Sequence, residues 1–304
     1  SAGTNLTYTR FHLVGIGGVG MSGLAKLLIK NGASVTGSDE SANESTSVLS
    51  RLGVKIYRGH AKSNLGSDRE ALIASAAVKS DNPELQLAQK RGIKIYKYAQ
   101  VLGMLMEKYR GIAVAGTHGK STTSGWLTYC MEKAGQNVNF VVGAEISQLS
   151  SSSGVGNSEF FIAEACEYDR SFLNLCPETA CILNLEPDHL DYYSGLDDIL
   201  EAFSEFAHSV RTGGKLIVNG DDANIKHLCR QLPDKTDIIS FGTESSCNYQ
   251  AVNLKMESSG TSFDLLYNGK ERGKAKITLA GRHNVYNALA VIALLNCSGV
   301  KTET

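Results

Sequence analysis

The chain has 304 residues, about twice the length of a typical domain, so two domains are expected, each large enough for its own core. Apolar residues at 42%, charged residues at 20% and 31 glycines describe a turn-rich α/β protein and exclude a disordered or fibrous one. With a net charge of −1 and no basic run interleaved with aromatics, the footprint of a nucleic-acid binder is missing, and no apolar run reaches the roughly 20 residues of a membrane span.

The chain begins with Ser rather than Met, which suggests trimming, and "SAGTNL" is set aside from fold reasoning. No signal-peptide hydrophobic segment follows it. The seven cysteines are scattered without a C-x-x-C pair, which suits reduced thiols, argues against a zinc site and, with the missing signal, implies a cytoplasmic location. From there "FHLVGI" reads as a strand, "GMSGLAKLLIKNG" as a helix ending at Gly32, and "ASVTGSD" as the next strand. "GVKIYRG", "ALIASAAV" and "GIKIYKY" continue the strand series, and "NPELQLAQKRG" is a helix opened by Pro and closed by Gly. Such alternation implies a parallel sheet covered by helices.

A helix from "YAQVLGMLM" and a short polar joint at Lys108 to Arg110 then lead into a second strand, glycine loop and helix. The division is therefore placed at residues 1–108 and 109–304. Strands follow in "EFFIAEA", "TACILNL" and "KLIVNGDD", then a β-rich part from Ile238 to Leu279 and a closing helix in "GRHNVYNALAVIALLNCSG". The "SSSSG" run from Ser150 reads as a flexible loop.

Two glycine loops sit between strand and helix, where unpaired N–H groups and the positive end of the helix dipole favour an anion. In the first, Gly15, Gly17 and Gly20 fit G-x-G-x-x-G, and Asp39 lies roughly 20 residues on, as in dinucleotide-binding folds. A plain glycine turn, with Asp39 capping the next helix, accounts for the same residues. The second, "GTHGKSTT" from Gly116 to Thr123, adds Lys120 to meet phosphate oxygens and Ser121 to ligate Mg²⁺, although Val114 stands where a Walker loop has its first glycine.

Two strand ends carry polar clusters, where open α/β sheets place ligands: Glu164 in "EACEYD", and Asp188, His189 and Asp191 in "EPDHLD". Phosphoryl transfer needs cation ligands at such places. Against that, Glu167 and Asp169 read equally as solvated charges, His189 as a helix-entry residue bonded to backbone, and Cys166 as a packing residue rather than a nucleophile. Asn284 and Asn287, three apart on the last helix, share one face and either read an adenine edge or cap the helix.

Taken together and in order, "GIGGVGMSGLA", "SAAVKSDNPE", "GTHGKSTT", "EACEYDRSF", "NLEPDHLDYY" and "GRHNVYNALA" resemble the Mur ligases of peptidoglycan assembly over nearly the whole chain from Phe11. The resemblance implies a Rossmann-like parallel-sheet domain, then a P-loop-type ATPase α/β domain with an added β-rich part, and no C-terminal third domain. Within the family it implies the branch that adds L-alanine to the lactyl carboxylate of UDP-N-acetylmuramate through an acyl phosphate, by a chain with little activity alone. Gly17, Gly18, Val19 and Gly20 would then hold the UDP-sugar diphosphate rather than NAD, with Asp39, His60 and Ser75 nearby. Gly116, Thr117, His118, Gly119, Lys120, Ser121 and Thr122 would hold ATP, with His283, Asn284 and Asn287 at the adenine. Lys120, Glu164 and His189 would be catalytic, and Ser121, Glu164 and His189 would bind Mg²⁺. A monomer or weak homodimer is implied, with no nucleic-acid or membrane partner. "EACEYD" departs from the family in carrying Cys166 where many members have aspartate. Three other readings remain: a branch that recycles a whole tripeptide, an NAD-dependent dehydrogenase using the first loop, and a non-catalytic nucleotide sensor.

Overall fold

The computed structural model describes residues 8–189 and 191–300, so the SAGTNL segment lies outside the described residues. The chain forms two compact units, one running to Tyr109 and joined by Asn137–Glu159, the other made of Arg110–Gln136 and the chain from Phe160 onward.

In the first unit, β1 (Arg10–Val14), α1 (Val19–Lys30), β2 (Ser34–Asp39), α2 (Glu44–Arg51), β3 (Lys55–Arg58), β4 (Ala71–Ala74), α3 (Pro83–Lys90), β5 (Lys94–Lys97) and α4 (Tyr98–Met106) alternate as the apolar runs predict. The five strands are parallel in the order β3-β2-β1-β4-β5. The order reverses at β1, and ligands of open sheets bind where the direction of winding changes. Caps set the helix starts. Asn43 accepts from Thr46 N at 2.9 Å to begin α2, so Asp39 is not its cap, and Asn82 accepts from Glu84 N at 2.9 Å ahead of Pro83 in α3.

The chain next contributes β6 (Arg110–Ala115) and α5 (Lys120–Lys133) to the second unit, then returns to the first as an antiparallel hairpin, β7 (Asn139–Ile146) and β8 (Ser151–Gly154). The boundary expected at residues 108 and 109 puts this hairpin with the second unit, whereas by compactness it belongs to the first. Its attachment to α1 explains the difference. A Cβ on Gly23 would lie 2.9 Å from Ser153 Cβ, Lys26 Nζ donates to Ser153 Oγ at 3.0 Å, and Lys30 Nζ donates to Asn139 Oδ1 at 2.9 Å. The serine run expected as a flexible loop is thus a strand, with Ser153 buried and Gly154 paired to Phe140.

The second unit continues with β9 (Phe160–Glu164), β10 (Thr179–Ile182), α6 (Leu196–His208), β11 (Lys215–Asn219), α7 (Ala223–Gln231), β12 (Asp237–Gly242), β13 (Tyr249–Glu257), β14 (Gly260–Tyr267), β15 (Lys270–Ile277) and α8 (Arg282–Cys297). Its strands lie in the order β15-β14-β13-β12-β11-β10-β6-β9, parallel from β9 to β13 and antiparallel from β13 to β15, which is the predicted β-rich part. Central strands such as β6 and β11 are buried on both faces, as a covered parallel sheet requires. Phe172 anchors the segment after β9 by stacking on Phe206 of α6 at 4.9 Å and meeting Phe203 edge-on at 5.1 Å. Among the described residues no helix is long and apolar enough to cross a membrane.

Candidate active site

Parallel pairing brings the carboxyl ends of β9, β6 and β10 together: Val114 is level with Glu164, and Ala115 with Ile182. The second glycine loop leaves the sheet between those neighbours. Gly119 begins α5 at φ +84°, a left-handed conformation that costs little only for glycine, and no side chain caps the helix. The segment after β10 fixes the loop instead. Asn184 Oδ1 accepts from His118 N at 2.8 Å while its Nδ2 donates to His118 O at 2.9 Å, and Glu186 N donates to Thr117 Oγ1 at 3.0 Å. His118 and Thr122 are exposed, and Ser121 is half-buried in the first turn.

Lys120 folds back over this loop. Its Nζ donates to Gly116 O at 2.6 Å, Thr117 O at 3.2 Å and Glu167 Oε1 at 2.9 Å. Glu167 is 3% exposed, so the reading of this residue as a solvated charge is corrected. Burial of a carboxylate is tolerated here because it is paired. His189 Nε2 stands 3.5 Å from Glu167 Oε1 and 4.0 Å from Asp188 Oδ2, so Glu167, Asp188 and His189 form a group able to hold a cation. Among the described residues, the buried Glu164 Oε1 has no hydrogen-bond partner, which leaves one carboxylate oxygen free for a ligand. Backbone strain clusters beside these groups: Asp169, Arg170 and His189 have φ of 53°, 50° and 52°.

Cys166 is exposed rather than packed, between the buried Ala165 and Glu167. Desolvation of its sulfur is the main cause pushing the thiol above its ordinary pKa, with the Glu167 and Glu164 charges adding to it, so it is not an activated nucleophile. On α8, Asn284 and Asn287 are both buried, and a Cβ on Gly119 would lie 2.7 Å from Asn287 Oδ1, which places that amide against the loop. Asn284 Nδ2 donates to Ala280 O at 2.8 Å, a local bond at the helix start, while His283 is exposed.

In the first unit, the residues singled out for the substrate gather at the carboxyl edge of its sheet. Gly17 N donates to Asp39 Oδ2 at 2.8 Å, and Asn43 Nδ2 donates to Gly17 O at 3.0 Å. A Cβ on Gly17 would lie 2.9 Å from both side chains, and one on Gly20 would lie 2.9 Å from the Tyr98 ring. Gly18 caps α1 without a side-chain bond, and Val19 is 43% exposed, so the helix start stays open. Ser75 follows β4, its Cβ 3.0 Å from where a Cβ on Gly15 would sit, and His60 follows β3 with Nδ1 3.0 Å from Ser38 Oγ. Sequence reasoning missed Glu167, Asn184 and Asn43. The available signal for Asn184 was an amide directly after a buried apolar strand; for Glu167 it was an acid three residues beyond Glu164.

Residues 114–295 match the Mur ligase middle domain, and residues 10–110 match the Mur ligase family catalytic domain. The chain is 40% identical over 299 residues to a UDP-N-acetylmuramate--L-alanine ligase of Caldanaerobacter subterraneus subsp. tengcongensis, covering 97% of this chain and 64% of that protein. It is 38% identical over 294 residues to the ligase of the same name from Aquifex aeolicus, with the same two coverages of 97% and 64%. The chain therefore spans a little under two thirds of the length of these curated relatives. Among solved structures, a UDP-N-acetylmuramate:L-alanyl-gamma-D-glutamyl-meso-diaminopimelate ligase from Neisseria meningitides superposes with a TM-score of 0.86 at 29% identity, covering 97% of this chain and 95% of that one. A UDP-N-acetylmuramate-alanine ligase from Thermotoga maritima gives 0.81 at 27% identity, with coverages of 97% and 66%.

Proposed function

Because the chain belongs to the Mur ligase family, we propose that it carries the two nucleotide-handling units of a cytoplasmic, ATP-dependent ligase that joins L-alanine to the lactyl carboxylate of UDP-N-acetylmuramate in peptidoglycan synthesis. The observation that carries this reading is the glycine loop of the second unit, with Lys120 folded over it beside Glu167 and with Glu164 Oε1 left unpartnered at the neighbouring strand end.

A carboxylate is a poor acyl donor, so the reaction needs phosphoryl transfer from ATP to the lactyl carboxylate. The amine of L-alanine then attacks the acyl phosphate, and phosphate leaves from a tetrahedral intermediate. Lys120 suits the developing charge, since a preorganised cation in a protected site is typically worth about 3 kcal/mol of barrier. Gly116 to Thr122 would cradle the phosphates, and His283, Asn284 and Asn287 would border the adenine. The free oxygen of Glu164 fits a hard cation; with Ser121 it would hold one Mg²⁺, while His189, with Glu167 and Asp188, would hold a second. Bound Mg²⁺ supplies charge neutralisation on the transferring phosphoryl group.

In the first unit, Gly17 to Gly20 would meet the diphosphate of the UDP-sugar, with Asp39, His60 and Ser75 at its flanks. Asp39 already accepts Gly17 N and, at 3.2 Å, Ser41 N, which holds its carboxylate against the loop. Calorimetry with UDP-N-acetylmuramate and, separately, with Mg-ATP tests the assignment. Gly17→Val is expected to lose the first and keep the second; tight NADH binding to the wild-type chain overturns it. The tripeptide-adding reading is favoured by the 0.86 TM-score to the Neisseria ligase, whereas the 38% and 40% identities favour alanine. Phosphate release with L-alanine against L-alanyl-γ-D-glutamyl-meso-diaminopimelate, in a chain of the relatives' full length, separates the two.

A further inference from the structure

Beneath the carboxyl edge of the first unit, behind His60 of the proposed substrate site, lies a polar cluster centred on a buried carboxylate. Glu84, in the first turn of α3, is 0% exposed. Its Oε2 accepts from Ser38 Oγ at 2.6 Å, and its Oε1 accepts from Asn64 Nδ2 at 2.6 Å and Ala61 N at 3.3 Å. Two imidazoles flank it, His12 with Nε2 at 3.5 Å and His60 with Nδ1 at 3.6 Å. Burial alone would raise the carboxyl pKa, but bonds from His12, Ser38 and Asn64 hold it below its ordinary value, so Glu84 is a carboxylate and only accepts.

Donor accounting then fixes the neighbours. A serine hydroxyl has one proton, and the 2.6 Å contact gives that of Ser38 to Glu84. Ser38 Oγ must therefore accept on its other side, and the group there is His60 Nδ1 at 3.0 Å. The neutral ring is consequently protonated at Nδ1 and carries a lone pair at Nε2. The His12 side chain is fully buried, with Nδ1 2.9 Å from Thr36 Oγ1, and so does not face a ligand. The side chain of His60 is 17% exposed, and among the described residues no protein group bonds to its Nε2.

We propose that Glu84 is a positioning residue that acts through Ser38 to present His60 Nε2 as a hydrogen-bond acceptor, for a hydroxyl or N–H donor of the sugar nucleotide rather than for its diphosphate. This rests on the UDP-sugar reading of the first unit. The relay assigns His60 a ligand group that its charge alone would not suggest, because an imidazole at such a site otherwise reads as a partner for phosphate.

The test has two readouts on the same chain. Nitrogen-15 NMR of the ligand-free protein at pH 8 should place the His60 proton on Nδ1. In Ser38→Ala or Glu84→Gln the proton should shift toward Nε2, since a glutamine amide can donate to Ser38 and turn its hydroxyl toward the ring. Calorimetry with UDP-N-acetylmuramate should show about tenfold weaker binding for His60→Ala, Ser38→Ala and Glu84→Gln, and no further loss when either of the last two is added to His60→Ala. Ser38→Ala keeps the test alive if Glu84→Gln fails to fold. A His60 proton on Nε2 in the wild type, or losses that simply add in the double variants, overturns the proposal. A wild-type chain that binds no UDP-N-acetylmuramate overturns the functional reading and the ligand assignment with it, while the tautomer still decides whether Glu84 sets the ring.

Discussion

Replacing Lys120 by Met keeps the length of the side chain and removes its charge, and the structure allows the cost to be worked out. All three ammonium protons are engaged, two on loop carbonyls and one on Glu167, and the Lys120 and Glu167 side chains are only 17% and 4% exposed. Removing one partner of a buried pair typically costs 3–5 kcal/mol, because the other charge is left unpaired. Lys120→Met is expected at the lower end, about 3 kcal/mol, since His189 at 3.5 Å can take up part of the Glu167 charge. Glu167→Gln retains an acceptor at that position and should cost about 1 kcal/mol. If the orphaned carboxylate is the main penalty, the double variant should lose about 2 kcal/mol rather than 4, a coupling of about 2 kcal/mol. Trp126, the single tryptophan, lies in α5 and reports the unfolding of this unit, so urea denaturation followed by its fluorescence measures all four proteins. Losses that add to within about 0.5 kcal/mol would refute the view that Lys120 and Glu167 form one buried unit.

Gly119→Ala puts a Cβ at φ +84° and 2.7 Å from Asn287 Oδ1, so it should destabilise by about 1–3 kcal/mol and weaken Mg-ATP binding, with thermal melting and calorimetry as the checks. Asn184→Ala removes both bonds to the His118 backbone and should weaken Mg-ATP while leaving UDP-N-acetylmuramate binding unchanged; equal weakening of both ligands counts against a local effect. Asp221 gives a pH dependence. Burial would raise its carboxyl pKa, but bonds from Thr243 N and Oγ1, both at 2.7 Å, Glu244 N at 3.1 Å and Tyr286 Oη at 2.8 Å lower it overall. A depressed folded pKa means the stabilisation is present above the ordinary aspartate value of about 4 and is lost as pH falls through the lowered folded value. Urea midpoints between pH 6 and 3 should therefore fall less steeply in Asp221→Asn than in the wild type.

Most parallel strands of both sheets were legible because they contain apolar runs and because helix periods separate them. The Asn82-Pro83 start of α3 and the turn at Gly32 were visible for the same local reason. What could not be read was anything depending on a partner distant in sequence. Ser153 has the polarity of a loop residue, and only the approach of Gly23 and Lys26 across the fold makes it part of a strand. Glu167 likewise has the composition of a surface acid until Lys120, 47 residues earlier, is placed against it. The family motifs marked the neighbourhood of the site, but the pairing of its charges is a tertiary fact.

The two glycine loops occupy equivalent places in their sheets, and their surroundings separate their chemistry. Each ends at a helix whose first turn lacks a side-chain cap, which leaves N–H groups able to meet an anion. Beside the first loop stands a carboxylate, Asp39, already bonded to Gly17 N, so this loop carries a negative charge on one flank and an incoming diphosphate would approach it from the open helix start. Beside the second stands an ammonium, Lys120, whose three bonds to Gly116, Thr117 and Glu167 neutralise the loop's own carbonyls. A phosphate bound there would exchange bonds for bonds, drawing Lys120 from Glu167 and leaving that carboxylate to His189 at 3.5 Å. Under the proposed function, the second loop would suit a group whose charge moves, and the first one that is only held.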